Sequence, residues 1–497
     1  MDSQTVKKTP KPSNFVKSTL HSIKIHFSSH PRFWLFIAFL WAQALIISIA
    51  RTPPLCFPDR SSSPSPSLRY VPIHSNTTPA AALPEPPPAL YTDDCPSGRV
   101  FSYDLPPSFH RDLVVPNCTD LDFWNWECGI ISNHGYGRAA SELRRTLPAD
   151  LHKSWYHTNQ FSLELLFHHR ILKHNCRTLD PDLATAFYIP FYAGLAVGKH
   201  LWDNDTSAKD RHCKMMLTWV KSQPYWKKMN GSDHFMTISR ITWDFRRLTD
   251  PGKSWGSSFL NMPSMQKVIR FIVEKYPGDD MDLSVPYPTG FHPKTTESLI
   301  QWQGFVRDYN RKKLFSFIAT DDKNWGKNDL RRLMSDYCRR ESSSCVAVDC
   351  GVSDCTKNSS ATLIPLLESE FCLQPKGESY TSKAVFECMV AGSVPVFFVK
   401  TSYEQYEWFL PGEPDSYSVF IEEEEVRNGT VAVKEVLQRF SKEEIQRKRE
   451  RVIETIPRII YLKPNAGIKS FKDAFDIAFD GAMERIKEEK EWADFLR

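Results

Sequence analysis

Two charged residues, Lys383 and Glu387, stand four positions apart in a stretch whose pattern predicts a ligand site. Residues 370–399 read EFCLQPKGESYTSKAVFECMVAGSVPVFFV. Side chains four positions apart lie on one face of a helix. A lysine in the first turn, beside the free N–H groups of a helix start, suits a diphosphate, and a carboxylate one turn later suits ribose hydroxyls. An ordinary ion pair on a core helix has the same spacing, so spacing alone leaves both interpretations open.

The surrounding pattern predicts the elements that would position this pair. The expected order is a strand over residues 371–374, a helix over 383–391 and a second strand over 394–399. Ser379 and Thr381 are the expected N-caps, and Gly392 is the expected helix stop. The loop after the first strand would lie at the carboxyl end of a parallel strand, where open α/β sheets bind ligands.

This stretch resembles the nucleotide-sugar motif of the exostosin-like enzymes, glycosyltransferase family 47, and especially the plant branch that contains the xyloglucan galactosyltransferases. The family pattern there runs FCLQPxGDSYTRRSxFDxxLAGCIPVFF. Further matching stretches follow in the family's order: YDLPP at 103–107, TNQF at 158–161, PFYAG at 190–194, RITWDFRR at 240–247, VPYPT at 285–289, FHP at 291–293 and LFSF at 314–317. The resemblance covers essentially the whole predicted globular part.

The resemblance implies an α/β fold of the GT-B type, in which two Rossmann-like domains face a cleft. It also implies a nucleotide site in the C-terminal half and inversion at the sugar carbon. The residues implied in binding the nucleotide sugar are Gly377, Ser379, Thr381, Ser382, Lys383 and Glu387. The resemblance implies a UDP-sugar as the donor. It also implies no metal or other cofactor, because GT-B enzymes generally work without a bound metal. The DxD pattern of Asp280 and Asp282 is therefore not expected to bind a cation.

Several positions depart from the family pattern. Ser382 and Lys383 replace paired arginines, so one positive charge is lost, and Glu387 replaces an aspartate. After the LFSF strand the family often has a Gly-Ala-Pro-Arg turn, where residues 318–323 here read IATDDK. Either Lys323 or Lys327 supplies the missing positive charge, or the donor differs.

The base for an inverting transfer is expected from the N-terminal half, across the cleft. Asp104 ends the first predicted strand, and Asp244 and His292 lie inside matching motifs. These three are the candidate catalytic residues, and each is also compatible with a structural role. Arg246 is expected either to hold the diphosphate or to pair with acidic residues.

The N-terminal sequence predicts a membrane anchor. Residues 33–50 form an uncharged apolar run, and residues 1–32 carry an excess of positive charge that should remain cytosolic. Residues 51–93 are rich in Pro and Ser and should form a disordered stem. The globular part is expected to contain an acceptor-side α/β domain over 94–304 and a nucleotide-sugar domain with closing helices over 305–497.

Short apolar runs alternate with helix-like stretches along the globular part, which favours parallel sheets covered by helices. Strands are expected over 99–103, 186–191, 234–239 and 313–318. Amphipathic helices are expected over 160–174 and 264–275, and the stretch 441–497 is expected to be rich in helix.

Sequons and cysteines favour a lumenal location. Glycosylation sequons begin at Asn76, Asn117, Asn204, Asn230, Asn358 and Asn428. The chain has 12 cysteines, and those at 338, 345, 350 and 355 are not spaced as in a zinc ribbon. Disulfides are therefore expected, with a connectivity that the sequence leaves open.

The sequence thus predicts a Golgi membrane protein, single-pass and type II, that transfers a sugar, expected to be galactose from UDP-galactose, to xyloglucan or a related hemicellulose. A galacturonosyl- or arabinosyltransferase of the same family, and a non-catalytic polysaccharide-binding scaffold subunit, remain open as alternatives. Assembly with itself or with other wall-synthesis transferases is also open. The net charge of +4 gives no reason to expect nucleic acid as a partner.

Overall fold

The computed structural model describes residues 95–114, 131–248, 255–320, 326, 329–377, 379–464 and 471–495. All of them belong to one compact unit, Leu90–Arg497. The predicted cytosolic tail, membrane anchor and stem lie outside the described residues. Within the described ranges, none of the helices is both long enough and apolar enough to cross a membrane.

The first half of the described chain forms a six-stranded sheet in which all neighbouring strands are parallel. Its strands are β1 (Val100–Ser102), β2 (Arg177–Thr178), β3 (Ala186–Ile189), β4 (His234–Ile238), β5 (Ile269–Ile272) and β6 (Asp282–Ser284). Their order in the sheet is β2-β1-β3-β4-β5-β6. The strands predicted near residues 99, 186 and 234 are confirmed. The strand order reverses between β1 and β3, and such a position is where open α/β sheets leave a crevice at their carboxyl edge.

The second half forms a five-stranded parallel sheet. Its strands are β7 (Lys313–Ala319), β8 (Cys345–Asp349), β9 (Ser369–Gln374), β10 (Val394–Phe397) and β11 (Val419–Phe420). They lie in the order β11-β10-β9-β7-β8, so this sheet reverses between β7 and β9. The predicted fold class, α/β with parallel sheets, is confirmed.

Helices lie in most of the connections between consecutive strands, as is usual for parallel pairing. They are α1 (Arg111–Val114), α2 (Leu163–Leu172), α3 (Ala193–Gly198), α4 (Thr206–Ser222), α5 (Pro224–Met229), α6 (Thr296–Asp308), α7 (Leu330–Arg340), α8 (Cys350–Ser353), α9 (Ser359–Glu368), α10 (Lys383–Val390), α11 (Thr401–Glu404), α12 (Glu423–Arg427), α13 (Val433–Leu437), α14 (Lys442–Ile459) and α15 (Ala474–Phe495). The predicted helices near 160–174 and in the C-terminal stretch are confirmed.

The helix predicted over residues 264–275 is wrong, because the chain there forms strand β5. Charged residues, among them Arg270, interrupt the apolar residues of this run, as they would on an amphipathic helix. The structure buries Arg270 completely, and its Nε donates to the Asp282 carboxylate at 2.6 Å on the neighbouring strand β6. Because Arg270 is paired with Asp282 inside the fold, its charge does not indicate a solvent-facing position. All four residues of β5 are buried, which is typical of a central parallel strand.

One apolar core joins the two halves. It includes Phe235 and Phe271 from the first sheet and Phe397 from the second. Helix α15 contributes Phe475 and Phe479 to the same core and packs on the first sheet, although it lies in the predicted second domain, 305–497. The predicted division after residue 304 falls inside α6.

Disulfides link four pairs of the described cysteines. The bridges are Cys95–Cys176, Cys338–Cys345, Cys350–Cys355 and Cys372–Cys388. The cysteines between residues 338 and 355 therefore pair with one another, as expected of thiols in an oxidising compartment. The last bridge joins β9 to α10, the two elements on either side of the loop that carries the predicted nucleotide-sugar motif.

Candidate active site

Strand β9, helix α10 and strand β10 form the predicted unit around Lys383 and Glu387. Gly392 follows the helix with a φ of 69°, which only glycine adopts without strain, so the predicted stop is confirmed. The N-cap prediction is wrong. The cap position is Ser382, and its side chain makes no capping hydrogen bond. Ser379 instead donates its hydroxyl proton to the carbonyl of Thr381 at 3.1 Å, within the loop.

Lys383 and Glu387 lie on one face of α10, as their spacing predicts. The Lys383 Nζ is 3.0 Å from the Glu387 carboxylate, and the two side chains are only 23% and 18% exposed. The same ammonium donates to the carbonyl of Thr158 at 2.9 Å, a residue of the first half. The pair is therefore not a solvent-facing surface pair but a partly buried one between the two halves.

A narrow pocket opens beside Glu387 where the second sheet reverses its strand order. It is lined by Ser316, Ile318, Leu366, Cys372, Leu373, Gln374, Ala384 and Glu387. The Ser316 hydroxyl is fully buried and has no hydrogen-bond partner among the described residues. A buried polar group without a partner is costly. The pocket combines apolar walls with an unused hydroxyl and a carboxylate, and it has room for only about one water molecule, so it marks a position beside α10 and is not a preformed nucleotide site.

The loop at residues 379–382, called the donor loop below, is held from the first half by a residue that sequence reasoning missed. The N–H groups of Tyr380 and Thr381 donate to the two carboxylate oxygens of Glu274, at 3.2 and 3.1 Å. Glu274 is buried. Burial raises the pKa of the Glu274 carboxyl above its ordinary value, and the hydrogen bonds from the N–H groups of Tyr380 and Thr381 partly oppose that shift.

A signal for Glu274 exists in the sequence. The residue comes two positions after the end of β5, at the carboxyl edge of the first sheet. The same rule singled out Asp104, which lies two positions after β1. A helix over residues 264–275, as predicted, would not place Glu274 at the end of a strand, so the prediction misses this signal.

The three candidate catalytic residues lie in different environments. Asp104 is exposed just beyond β1, at the crevice where the first sheet reverses. Asp244 is buried, and its two carboxylate oxygens accept from Arg240 Nε at 2.7 Å and from the Trp255 indole at 2.6 Å. Asp104 is thus the candidate that solvent reaches, whereas Asp244 is engaged in a buried ion pair.

His292 occupies a structural position. Its Nδ1 donates to the carbonyl of Tyr461 at 2.6 Å, and its Nε2 lies 2.8 Å from the hydroxyl of Thr158. The ring is fully buried, and burial lowers the pKa of His292 to about 3. A neutral imidazole with both nitrogens engaged is poorly placed to take a proton from a substrate. The Thr158 hydroxyl contacts His292, and the Thr158 carbonyl accepts from Lys383. Thr158 therefore links His292 to Lys383.

Arg246 pairs with acidic residues, which is one of the two roles expected for it. Its guanidinium donates to the carboxylates of Asp279 and Asp282, both at 2.6 Å. Asp282 also accepts from the buried Arg270. Asp282, the second carboxylate of the DxD pattern at 280–282, is therefore paired with two arginines. Among the described residues, no group of three or more His, Cys, Asp or Glu side chains has the arrangement needed to hold a metal ion.

Several predicted positions lie outside the described residues, namely Lys323, Lys327, Asn76 and Asn117. The remaining predicted residues of the nucleotide-sugar motif are described. The Gly377 N–H donates to the carbonyl of Ser379 at 2.9 Å, which closes a turn at the start of the donor loop. The asparagines of the other four sequons are all exposed, namely Asn204, Asn230, Asn358 and Asn428.

Comparison with known proteins gives a consistent result. The model of the exostosin GT47 domain matches residues 94–440. The chain is 51% identical to the Arabidopsis thaliana xyloglucan galactosyltransferase XLT2 over 400 residues, which is 80% of this chain and 77% of that protein. It is 35% identical to the xyloglucan galactosyltransferase MUR3 from the same plant, over 80% of this chain and 63% of that one. It is also 35% identical to the Arabidopsis xyloglucan-specific galacturonosyltransferase 1, over 79% of this chain and 58% of that one.

Proposed function

The chain belongs to the exostosin-like glycosyltransferases of family 47, and from that premise we propose that it transfers galactose from UDP-galactose to xyloglucan. The observation that carries the proposal is the Lys383–Glu387 pair, which lies between the two halves and beside the pocket at the β7–β9 reversal. The 51% identity to a xyloglucan galactosyltransferase supports the choice of sugar and acceptor.

In this proposal the donor nucleotide lies against the second half, over the start of α10 and beside Glu387. The Glu387 carboxylate accepts hydrogen bonds from the ribose hydroxyls. The start of α10, with Ser382 at the cap and Lys383 in the first turn, faces the diphosphate. Gly377, Ser379 and Thr381 line the loop on which the diphosphate and sugar lie. The two parallel sheets, with a site on the edge that faces the other half, support a GT-B arrangement.

The reaction is then an in-line displacement with inversion. The acceptor hydroxyl loses its proton to a base and forms a bond to the anomeric carbon, while the bond from that carbon to the diphosphate oxygen breaks. UDP leaves with the electron pair, and Lys383 and the helix start stabilise its added negative charge. We propose that these groups, rather than a resident metal ion, supply the positive charge. Asp104 remains the exposed candidate for the base.

A second candidate function is transfer of galacturonic acid, and it is favoured by the match to a galacturonosyltransferase. The lower identity of that match, 35% against 51%, ranks it second. A pentose donor and a non-catalytic scaffold role remain weaker alternatives, because nothing in the described residues favours either.

We propose that the protein is anchored in the Golgi membrane by residues 33–50, with the described part in the lumen. Four disulfides and four exposed sequons support a lumenal location. Treatment of the protein from plant membranes with an N-glycosidase should increase its gel mobility. Successive Asn→Gln changes at residues 76, 117, 204, 230, 358 and 428 should remove that increase stepwise. An unglycosylated protein that resides outside the secretory pathway would contradict the location.

The substrate test offers the purified full-length chain a panel of UDP-sugars together with xyloglucan or mannan oligosaccharides. Product masses separate a hexose, a hexuronic acid and a pentose. The proposal expects transfer from UDP-galactose to xyloglucan, with the product lost in Glu387→Ala. Transfer from UDP-galacturonic acid alone would establish the second candidate, and UDP binding without transfer to any acceptor would favour the scaffold.

A further inference from the structure

Three consecutive residues of the first half attach to the second half beside the donor loop. The carbonyl of Val273 accepts from the Tyr406 hydroxyl at 2.5 Å, and the N–H of Lys275 donates to the Gln405 side chain at 3.2 Å. Between them, the Glu274 carboxylate accepts from the backbone of Tyr380 and Thr381. The end of β5 is thereby fixed to the second half at three points.

The donor loop is held from its other side as well. The Ser402 hydroxyl donates to the carbonyl of Tyr380 at 2.5 Å. Tyr380 therefore has its N–H bonded to Glu274 and its carbonyl bonded to Ser402. Because both polar groups of this peptide backbone are engaged, the loop has one orientation immediately before the start of α10.

The chemistry of the contact requires a carboxylate. Two adjacent N–H donors need two acceptor oxygens, which an ionised glutamate provides. A glutamine of the same shape would turn an NH₂ group toward one of those donors. An alanine would remove the acceptor of both N–H groups and leave that of the buried Thr381 without this partner, which costs free energy.

We propose, on the basis of the proposed function, that Glu274 is a positioning residue for the donor. Its carboxylate holds Tyr380 and Thr381 so that the start of α10, with Ser382 and Lys383, faces the diphosphate. Glu274 acts through the loop and does not itself contact the donor. This separates it from Glu387, which is proposed to contact the ribose directly.

The test measures UDP binding by calorimetry with the purified full-length chain and its variants. Glu274→Gln and Ser402→Ala release the same loop residue from opposite sides, so each should raise the dissociation constant for UDP, the former by about tenfold. Because both bonds fix Tyr380, the double variant should deviate from additivity. Glu404→Gln changes an exposed glutamate on neighbouring α11 and serves as the matched control, with unchanged binding expected.

Kinetics with UDP-galactose distinguish positioning from general loss of structure. Glu274→Gln should raise the KM for the donor more than it lowers kcat, in protein whose thermal transition remains cooperative. Wild-type UDP affinity in both Glu274→Gln and Ser402→Ala would overturn the inference. If Glu274→Gln does not fold, the test rests on Ser402→Ala alone. Unchanged UDP binding by Ser402→Ala would then overturn the inference. Absence of UDP binding by the wild type would instead contradict the proposed function.

Discussion

The ammonium of Lys383 donates a hydrogen bond to the main-chain carbonyl of Thr158, with Nζ and O 2.9 Å apart. Lys383 begins the helix of the second half that is proposed to bind the donor, and Thr158 belongs to the TNQF motif of the first half. Thr158 in turn contacts His292 through its hydroxyl. Three stretches that are far apart in sequence thus meet at Thr158.

Replacement of Lys383 tests its proposed role toward the diphosphate. Lys383→Ala should weaken UDP binding by about ten- to a hundredfold, since a charge-assisted hydrogen bond contributes about 1.5–3 kcal/mol. Calorimetric titration with UDP measures the change. Lys228→Ala is the control, because Lys228 is a surface lysine that pairs with Asp182 and should leave UDP binding unchanged. Equal affinity in the two variants would remove Lys383 from the site.

The lowered pKa of His292 leads us to expect that the stability of the protein depends on pH. This pKa is about 3 in the folded protein and has the ordinary value of about 6.5 in the unfolded chain. As pH falls below the unfolded value, the unfolded chain binds a proton that the folded protein does not, so the free energy of unfolding decreases. Above the unfolded value this residue contributes no slope.

The slope is measurable by urea denaturation at several pH values. The contribution of His292 is at most about 1.4 kcal/mol per pH unit, in the window from pH 6.5 down to about 3. His292→Gln should therefore lose less stability on acidification than the wild type, by about 1 kcal/mol between pH 7 and 5.5. Identical slopes in the two proteins would show that the folded protein protonates His292 as readily as the unfolded chain does.

Asp244 predicts a loss of stability when its carboxylate is removed. Asp244→Ala leaves the buried Arg240 and the Trp255 indole without this acceptor. Breaking a buried pair by removing one partner costs about 3–5 kcal/mol. Chemical denaturation checks this value, and Asp150→Ala, which alters an exposed pair with Lys153, should stay within about 0.5 kcal/mol of the wild type. A fully stable Asp244→Ala protein without activity would instead support the catalytic role.

The unit from β9 to β10 was predictable because its signals are local. A buried apolar run, a glycine at the helix end and a second apolar run follow one another within about thirty residues, and the i,i+4 spacing fixes the common face of Lys383 and Glu387. None of these signals needs knowledge of the rest of the fold.

The partners of the charged residues were not predictable in the same way. Arg270 looked solvent-facing until the structure placed it beside Asp282 on the next strand. The wrong helix prediction over residues 264–275 also missed Glu274, which lies two positions after β5. Likewise, the sequence places Arg246 near Asp244, whereas its guanidinium bonds to Asp279 and Asp282. Long-range ion pairs depend on the strand order, which a local pattern does not contain.

The most direct test of the account is the affinity of the purified full-length chain for UDP, compared between the wild type and Glu387→Ala. The account predicts that the wild type binds UDP and that the variant loses at least about tenfold in affinity, because two ribose hydroxyls lose their charged acceptor. UDP binding of equal strength in both proteins, with Glu387→Ala folded, would contradict the placement of the donor beside α10.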